Sequence, residues 1–300
     1  MSAQTPSTLA QRSGSANPQQ PKWTSTGGSA PSTGAVVRAT LLIAGAILVV
    51  TPVLWAAMSS FKTQAELAQT PPTLWPNHPT ADNYTSGLQA FDFVHFLTNS
   101  IIVTVSATVL TLIINSMAAY ALSKYNFRGR TVLFLITLST IMIPLQVILL
   151  PVYQVIASFG MVNSLWGLII PPAATPTGVF LLRQYMLSLP DEMIEAARID
   201  GAGEFKIFLR IILPLSRPAL AVVAIFSVIW RWNDFLWPLI VAQDESVQTL
   251  PVAIARFASQ QAIPFNQILA VSVVTILPII VIFLFLQRHI IAGLAQGSIK

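Results

Sequence analysis

Past residue 36 the chain alternates long uncharged apolar runs with short polar clusters. Residues 39–61, 96–123 and 131–182 contain no Asp, Glu, Lys or Arg. A helix rising 1.5 Å per residue needs roughly 20 apolar residues to cross a hydrocarbon core about 30 Å thick, so each run is long enough to span a bilayer. The run 131–182 is too long for one span. Pro151, Asn163, Ser164 and the pair Pro171 and Pro172 punctuate it, which predicts a helix near 131–150, a short loop and a helix near 166–188. Residues 218–241, interrupted by Arg231 and Asp234, supply a fifth span, and 257–287 contains a sixth.

Six spans place both termini on one side, and the basic residues choose the side. Arg12, Lys22, Arg38, Lys124, Arg128, Arg130, Arg183, Arg198, Lys206, Arg210, Arg217, Arg288 and Lys300 fall on the side of the termini, against Lys62 and Arg256 on the other. Lys and Arg concentrate in cytoplasmic loops, so both ends are expected in the cytoplasm. Composition agrees with a multi-pass membrane protein: 54% of the 300 residues are hydrophobic, 9% are charged, and the mean hydropathy is +0.69. With no cysteine there are no disulfides, thiolate metal sites or thiol catalysis. The net charge of +5 does not point to nucleic acid, because the bases border apolar runs instead of forming a patch interleaved with aromatics.

Residues 1–35, rich in Ser, Thr, Gly, Pro and Gln, read as a disordered cytoplasmic tail, with too little apolar surface to offset the entropy of ordering. They hold no apolar h-region, so a signal peptide is not expected. Residues 36–300 then form one transmembrane domain. The outer segment 62–95, with "TPPTLWPNHPTADNY", is expected to be an irregular, fairly rigid cover.

Charge gathers in one cytoplasmic loop, 189–217, which begins "LPDEMIEAARIDGAGEFKIFLRIILP". Ser188 or Leu189 is expected to cap a short helix, with Pro190 in its first turn and Asp191 and Glu192 favoured by the helix dipole. Gly201 suits a left-handed residue ending that helix. A second helix from about Gly203 would place Phe205, Phe208, Leu209 and Ile212 on one face and stop at Pro214.

Within this loop Glu195, Ala196, Ala197, Gly201, Ile211, Leu213 and Pro214 fit the pattern E-A-A-x3-G-x9-I-x-L-P. At roughly 5–10% usage per residue, seven fixed positions coincide at a given place on the order of once in 10^8. The pattern resembles the signature of permease subunits of binding-protein-dependent ABC importers. The stretches "NSIIVTVSATVLTLIINSMAAYALSKYNFRGR", "MIPLQVILLPVY", "WNDFLWPLI" and "GLAQGSIK" resemble the carbohydrate-uptake branch, and most of all the second permease of maltose/trehalose-type transporters. The resemblance implies an all-α, six-span type I importer permease in a bacterial cytoplasmic membrane. It also implies a second permease subunit, two ATPase subunits and an extracytoplasmic sugar-binding protein. The loop would be the coupling helix that docks in a cleft of the ATPase, with Glu195, Ala196, Ala197, Asp200, Gly201, Ile211, Leu213 and Pro214 carrying the coupling. ATP and Mg would then sit on the ATPase partners.

The chain itself offers no chemistry. A phosphate-cradling G-x-x-x-x-G-K-[ST] loop is missing, since no lysine follows a glycine, and His78, His95 and His289 lack metal-ligand spacing. Catalytic residues and a resident cofactor are therefore not expected. Sugars offer hydroxyls to amides and carboxylates and C–H faces to rings, so polar and Trp residues within the spans are substrate-path candidates: Asn115, Gln146, Trp230, Asn233, Asp234 and Trp237. Arg231 and Asp234, three apart, are expected to pair on one helical face as a structural or gating element. Another polar solute, such as a polyol, glycerol phosphate or a peptide, is the alternative cargo. A secondary transporter is the alternative class, but it would need a coupling-ion site, and the spans hold only one Arg and one Asp.

Overall fold

A computed structural model describes residues 33–260 and 263–297; the side chains of Ala35, Ile282, Phe283 and of residues beyond Leu284 are not described. The predicted tail therefore lies outside the described residues, except that positions 33–35 already belong to the first helix. Among the described residues fifteen α-helices follow one another: α1 (Thr33–Ser59), α2 (Gln64–Leu67), α3 (Asp82–Ala90), α4 (Phe93–Lys124), α5 (Arg130–Ser139), α6 (Leu145–Ser158), α7 (Leu165–Ile169), α8 (Pro176–Leu187), α9 (Glu192–Ile199), α10 (Glu204–Ile207), α11 (Leu213–Leu215), α12 (Arg217–Trp232), α13 (Leu236–Val241), α14 (Leu250–Ser259) and α15 (Phe265–Gly297). Among the described residues there is no strand.

Val36–Ser59 of α1 and the whole of α4 are each long and apolar enough to cross a membrane, and three bent helix pairs raise the number to as many as five. The 33-residue α15 supplies the sixth apolar segment. The fold is thus all-α with six spans. Contacts divide the chain between Thr51 and Pro52 into two units. In the first, the described part of α1 exposes Leu41, Leu42, Leu48 and Val49, apolar surface suited to hydrocarbon and not to water.

In the second unit α4 is the hub, packed against α8 and α12, and α15 packs on α12 and α3. Its inward face is built for close approach: Ala107, Thr111, Asn115, Ser116 and Ala119 are almost wholly buried. Small residues let membrane helices approach, and hydroxyls and amides join them where lipid offers no partner. Thr108 Oγ1 and Ser227 Oγ, 2.9 Å apart and buried, join α4 to α12 in this way.

Two predicted spans are broken where a proline removes a backbone donor. The expected helix at 131–150 is two arms meeting at 107°, because Pro144 pushes Ile143 into an extended conformation (φ −85°, ψ 116°) and itself stands as the cap residue just before α6. Pro151, expected to punctuate, lies inside α6. The expected helix at 166–188 bends by 43°, with Pro171–Ala173 forming a 3-10 turn between α7 and α8. The outer segment is less irregular than expected, since its prolines lie between α2 and α3. Buried Lys62 donates to the Thr73 carbonyl, and Glu66 Oε1 accepts from the Asn77 amide at 2.7 Å. Asn83 donates to the carbonyls of Ser60 (2.7 Å) and Lys62 (2.8 Å) and accepts from Asn266 at 2.6 Å, fixing α3 to the start of α15.

Candidate functional site

The charged loop folds as two short arms. The first arm, α9, begins one turn later than expected: Ser188 ends α8, its hydroxyl donating to the Tyr185 carbonyl at 2.7 Å, and Asp191 precedes the first helical residue without a side-chain cap. Gly201 takes the left-handed conformation (φ +74°), as its place after α9 requires, and a Cβ there would meet open space but a strained backbone. The second arm is α10, a π-turn at Phe208–Ile212 and α11. That wider turn shifts the register of side chains, so the buried face consists of Ile207, Phe208 and Ile212, while Phe205 and Leu209 point outward, against expectation. Pro214 sits inside α11, and the arm ends at Leu215, where the chain turns by 78° into α12.

Ile194, Ile207, Phe208 and Ile212 pack on Ala119, Leu182, Met186 and Val223, rooting both arms on α4, α8 and α12. Two polar clasps add to this. Lys124, its side chain 3% exposed, donates through Nζ to the Leu189 carbonyl and to Asp191 Oδ1, both at 2.6 Å. Midway along the loop, where the second arm begins, Glu204 Oε1 accepts from Arg198 Nε at 2.7 Å, while Oε2 accepts from the hydroxyls of Tyr120 (3.0 Å) and Tyr125 (2.6 Å). The bonds from Arg198 and Tyr125 hold the Glu204 carboxyl well below the usual carboxylate range, at about 2. Burial, then the Glu204 bond, pushes the Tyr125 hydroxyl up. The Lys124 and Glu204 clasps were not anticipated, although Tyr120, Lys124 and Tyr125 at the polar end of a span were a visible signal.

What remains outward is the face carrying the sequence pattern. Glu195, Ala196, Asp200 and Gly201 are exposed, Ala197 is half-buried, and Ile199 and Phe205 are 86% and 66% exposed. Ile211, Leu213 and Pro214 lie half-buried in the second arm. An isoleucine bare to that degree at the tip of a loop clasped to the spans is a surface suited to a partner.

The six path candidates do not converge. Asn115 is buried and bridges helices, donating to Thr175 Oγ1 at 2.6 Å and accepting from the Thr175 amide at 3.2 Å. Gly178 leaves room for it, since a Cβ there would strike both Asn115 Nδ2 and Thr175 Oγ1. Trp237 is buried, with Nε1 donating to the Gly167 carbonyl at 3.0 Å. Asn233 donates to Ile229, one turn back in α12, at 2.8 Å, Trp230 stacks on Phe226, and Gln146 is exposed on α6. Asp234 and Trp237 share a cavity of about 120 Å³ with Arg231, Pro171 and Pro172. The expected Arg231–Asp234 pair is looser than a direct ion pair on one helical face: α12 ends at Trp232, before Asp234, and Arg231 Nη2 donates to the Pro172 carbonyl at 2.7 Å, while the two charges line one cavity and still attract each other.

Residues 112–296 match the family of binding-protein-dependent transport system inner membrane components. The chain is similar to the arabinooligosaccharides transport system permease protein AraQ of Halalkalibacterium halodurans, 39% identical over 85% of this chain and 92% of that protein. It is 34% identical to the diacetylchitobiose uptake system permease protein NgcG of Streptomyces coelicolor over 89% of each chain. It is also 34% identical to the sn-glycerol-3-phosphate transport system permease protein UgpE of Yersinia enterocolitica, over 86% of this chain and 95% of that one. Among solved structures, a chain of a bacterial ABC transporter that imports the acidic polysaccharide alginate superposes with a TM-score of 0.77 at 26% identity, over 84% of this chain and 95% of that one. A six-span all-α fold, a matched family segment that includes the whole charged loop, and full-length relatives all lead to one conclusion: the chain belongs to the family of inner membrane permease components of binding-protein-dependent ABC importers.

Proposed function

We propose that this chain is one of two different permease subunits of an ATP-driven sugar importer in a bacterial cytoplasmic membrane. The observation that carries the reading is the E-A-A-x3-G pattern on an outward tip whose other face is clasped to α4, α8 and α12. Ile199 and Phe205 would enter a cleft of an ATPase subunit, with Glu195, Arg198 and Asp200 at its rim. Closure of two ATPases on ATP would displace the tip, and the clasps would carry the displacement to the hub helices, which rock as a rigid body between inward- and outward-facing states. An extracytoplasmic binding protein would deliver the solute, and ATP would be hydrolysed wholly on the partners. Two of the relatives named are permeases for neutral oligosaccharides, which favours a neutral sugar; UgpE favours glycerol phosphate as the second reading.

The test is Gly201→Asp in the reconstituted complex. A side chain forced into a left-handed residue costs about 1–2 kcal/mol locally and leaves the spans untouched. Normal abundance is expected with weakened ATPase binding, little sugar uptake and no stimulation of ATP hydrolysis by the loaded binding protein. Wild-type uptake and stimulation would show that force enters elsewhere.

A further inference from the structure

At the end of the molecule opposite the charged loop, a cavity of about 350 Å³ opens among Asp92, Gln243, Glu245, Gln248, Arg256 and Gln260. This volume lies within the range of small-molecule pockets. Three elements shape the cavity: the α3–α4 junction, the segment 242–249 and α14. Beneath it Phe91, Phe96 and Phe257, none more than 4% exposed, form an aromatic base with ring centroids 5.0 Å and 5.2 Å apart from Phe91 outward. The walls are held in place by their own bonds. Asp92 Oδ1 caps α4 through the His95 amide at 3.3 Å, Arg256 Nη1 donates to the Gln243 carbonyl at 2.9 Å, and the Gln248 carbonyl accepts from Asn99 Nδ2 at 3.0 Å.

Gln248 is the feature that ordinary packing leaves unexplained. The residue is 3% exposed and lines the cavity, and among the described residues its side-chain amide makes no hydrogen bond, its polar atoms being left open to the cavity. An amide whose polar atoms open into a cavity completes its bonding with water there, so it marks a place where a ligand's polar atoms can take the water's place. The wall offers both donors (Gln248, Gln260, the remaining guanidinium nitrogens of Arg256) and acceptors (the amide oxygens, Asp92, Glu245). Hydroxyls, which donate and accept at once, satisfy such a mixture best. Two carboxylates against one guanidinium make the site net negative, which disfavours a phosphate or uronate.

We infer that this cavity is a subsite for a neutral saccharide, a first contact on the permease outside the membrane path. The inference rests on the sugar-importer reading and narrows it to uncharged cargo.

The test uses the whole complex in nanodiscs without its binding protein, probed by ligand-observed NMR with arabinotriose and N,N′-diacetylchitobiose, and with glycerol 3-phosphate as the anionic probe. Wild type is expected to bind a neutral probe and not the anionic one. Gln248→Leu should weaken the neutral probe at least tenfold while the ATPase still co-purifies. Glu245→Lys, at an exposed position where folding is not at risk, should bring glycerol 3-phosphate into the site. Equal neutral binding in wild type and Gln248→Leu would overturn the subsite, as would a wild type that binds no neutral probe while vesicles with the binding protein still import one. Loss of affinity for the binding protein with unchanged probe binding would also overturn it, making the cavity a protein-docking surface. Import of glycerol 3-phosphate with no import of either sugar would instead refute the parent reading.

Discussion

Glu204 gathers three hydrogen bonds on one carboxylate, and its charge state decides whether all three persist. Its pKa in the folded loop, about 2, lies below the ordinary glutamate value, so folding favours the ionised form. The clasp therefore contributes fully above the ordinary value and is lost only as pH falls from there through about 2. Protection against hydrogen exchange in residues 189–217, relative to the intrinsic rate at each pH, is expected to be flat from pH 8 to 5 and to fall below about 4.5; a fall already at pH 6 would assign the loop's hold to another group. Glu204→Gln keeps an acceptor but loses the charge. With the side chain 43% exposed the loss in stability should stay at or below about 1 kcal/mol. Yet the tip would move relative to α4, so the complex should assemble while binding-protein-stimulated ATP hydrolysis falls several-fold. Tyr125→Phe, which removes one of the three bonds, should fall less.

At the scale of elements, the joint between α4 and α8 shows how a span pair is locked. Asn115 saturates the amide and hydroxyl of Thr175 at the start of α8, and Gly178 provides its space. Asn115→Ala leaves Thr175 without that partner, at a cost of about 1–3 kcal/mol, and Gly178→Ala overpacks the same spot by a similar amount. Because the first change removes an atom that the second would strike, the double variant should unfold at a temperature above the one that adding the two single losses gives. Strict additivity in detergent melts would show that the two positions do not share this contact. The joint also explains what the sequence could and could not convey. Apolar run length is a local property, and it placed α4 to within three residues and α1 to within six, whereas the last helix, Phe265–Gly297, begins and ends well past the two edges of the run 257–287. Which proline breaks a span is not local: Pro144 and Pro151 look alike in the chain, and the bend falls at the first. The family signature in the charged loop was legible because its pattern carries seven spaced residues. The role of Asn115 was not, because an amide in a span reads equally as a ligand or as a bridge until its partner 60 residues away is seen.

Over the whole molecule, the two ends differ in charge in a way that binds orientation to mechanism. Lys124, Arg128, Arg130, Arg183, Arg198, Lys206, Arg210 and Arg217 collect at the end bearing the charged loop, and Lys62 and Arg256 at the end bearing the polar cavity. Short basic loops stay in the cytoplasm, so the loop end should face ATP and the cavity end the outside. The protein has no cysteine, which lets single cysteines report sidedness without background. His78 is exposed between α2 and α3, and Gly203 is exposed between the two arms with open space around its Cα. An impermeant thiol reagent added to intact cells is expected to label His78→Cys at once and Gly203→Cys only after the membrane is opened. Both substitutions sit away from the packed helices, so expression should be unchanged. Labelling of Gly203→Cys from outside would put the E-A-A tip where no ATPase can reach it. The force-transmission scheme and the outward placing of the saccharide subsite would then fall together, because both depend on this one orientation.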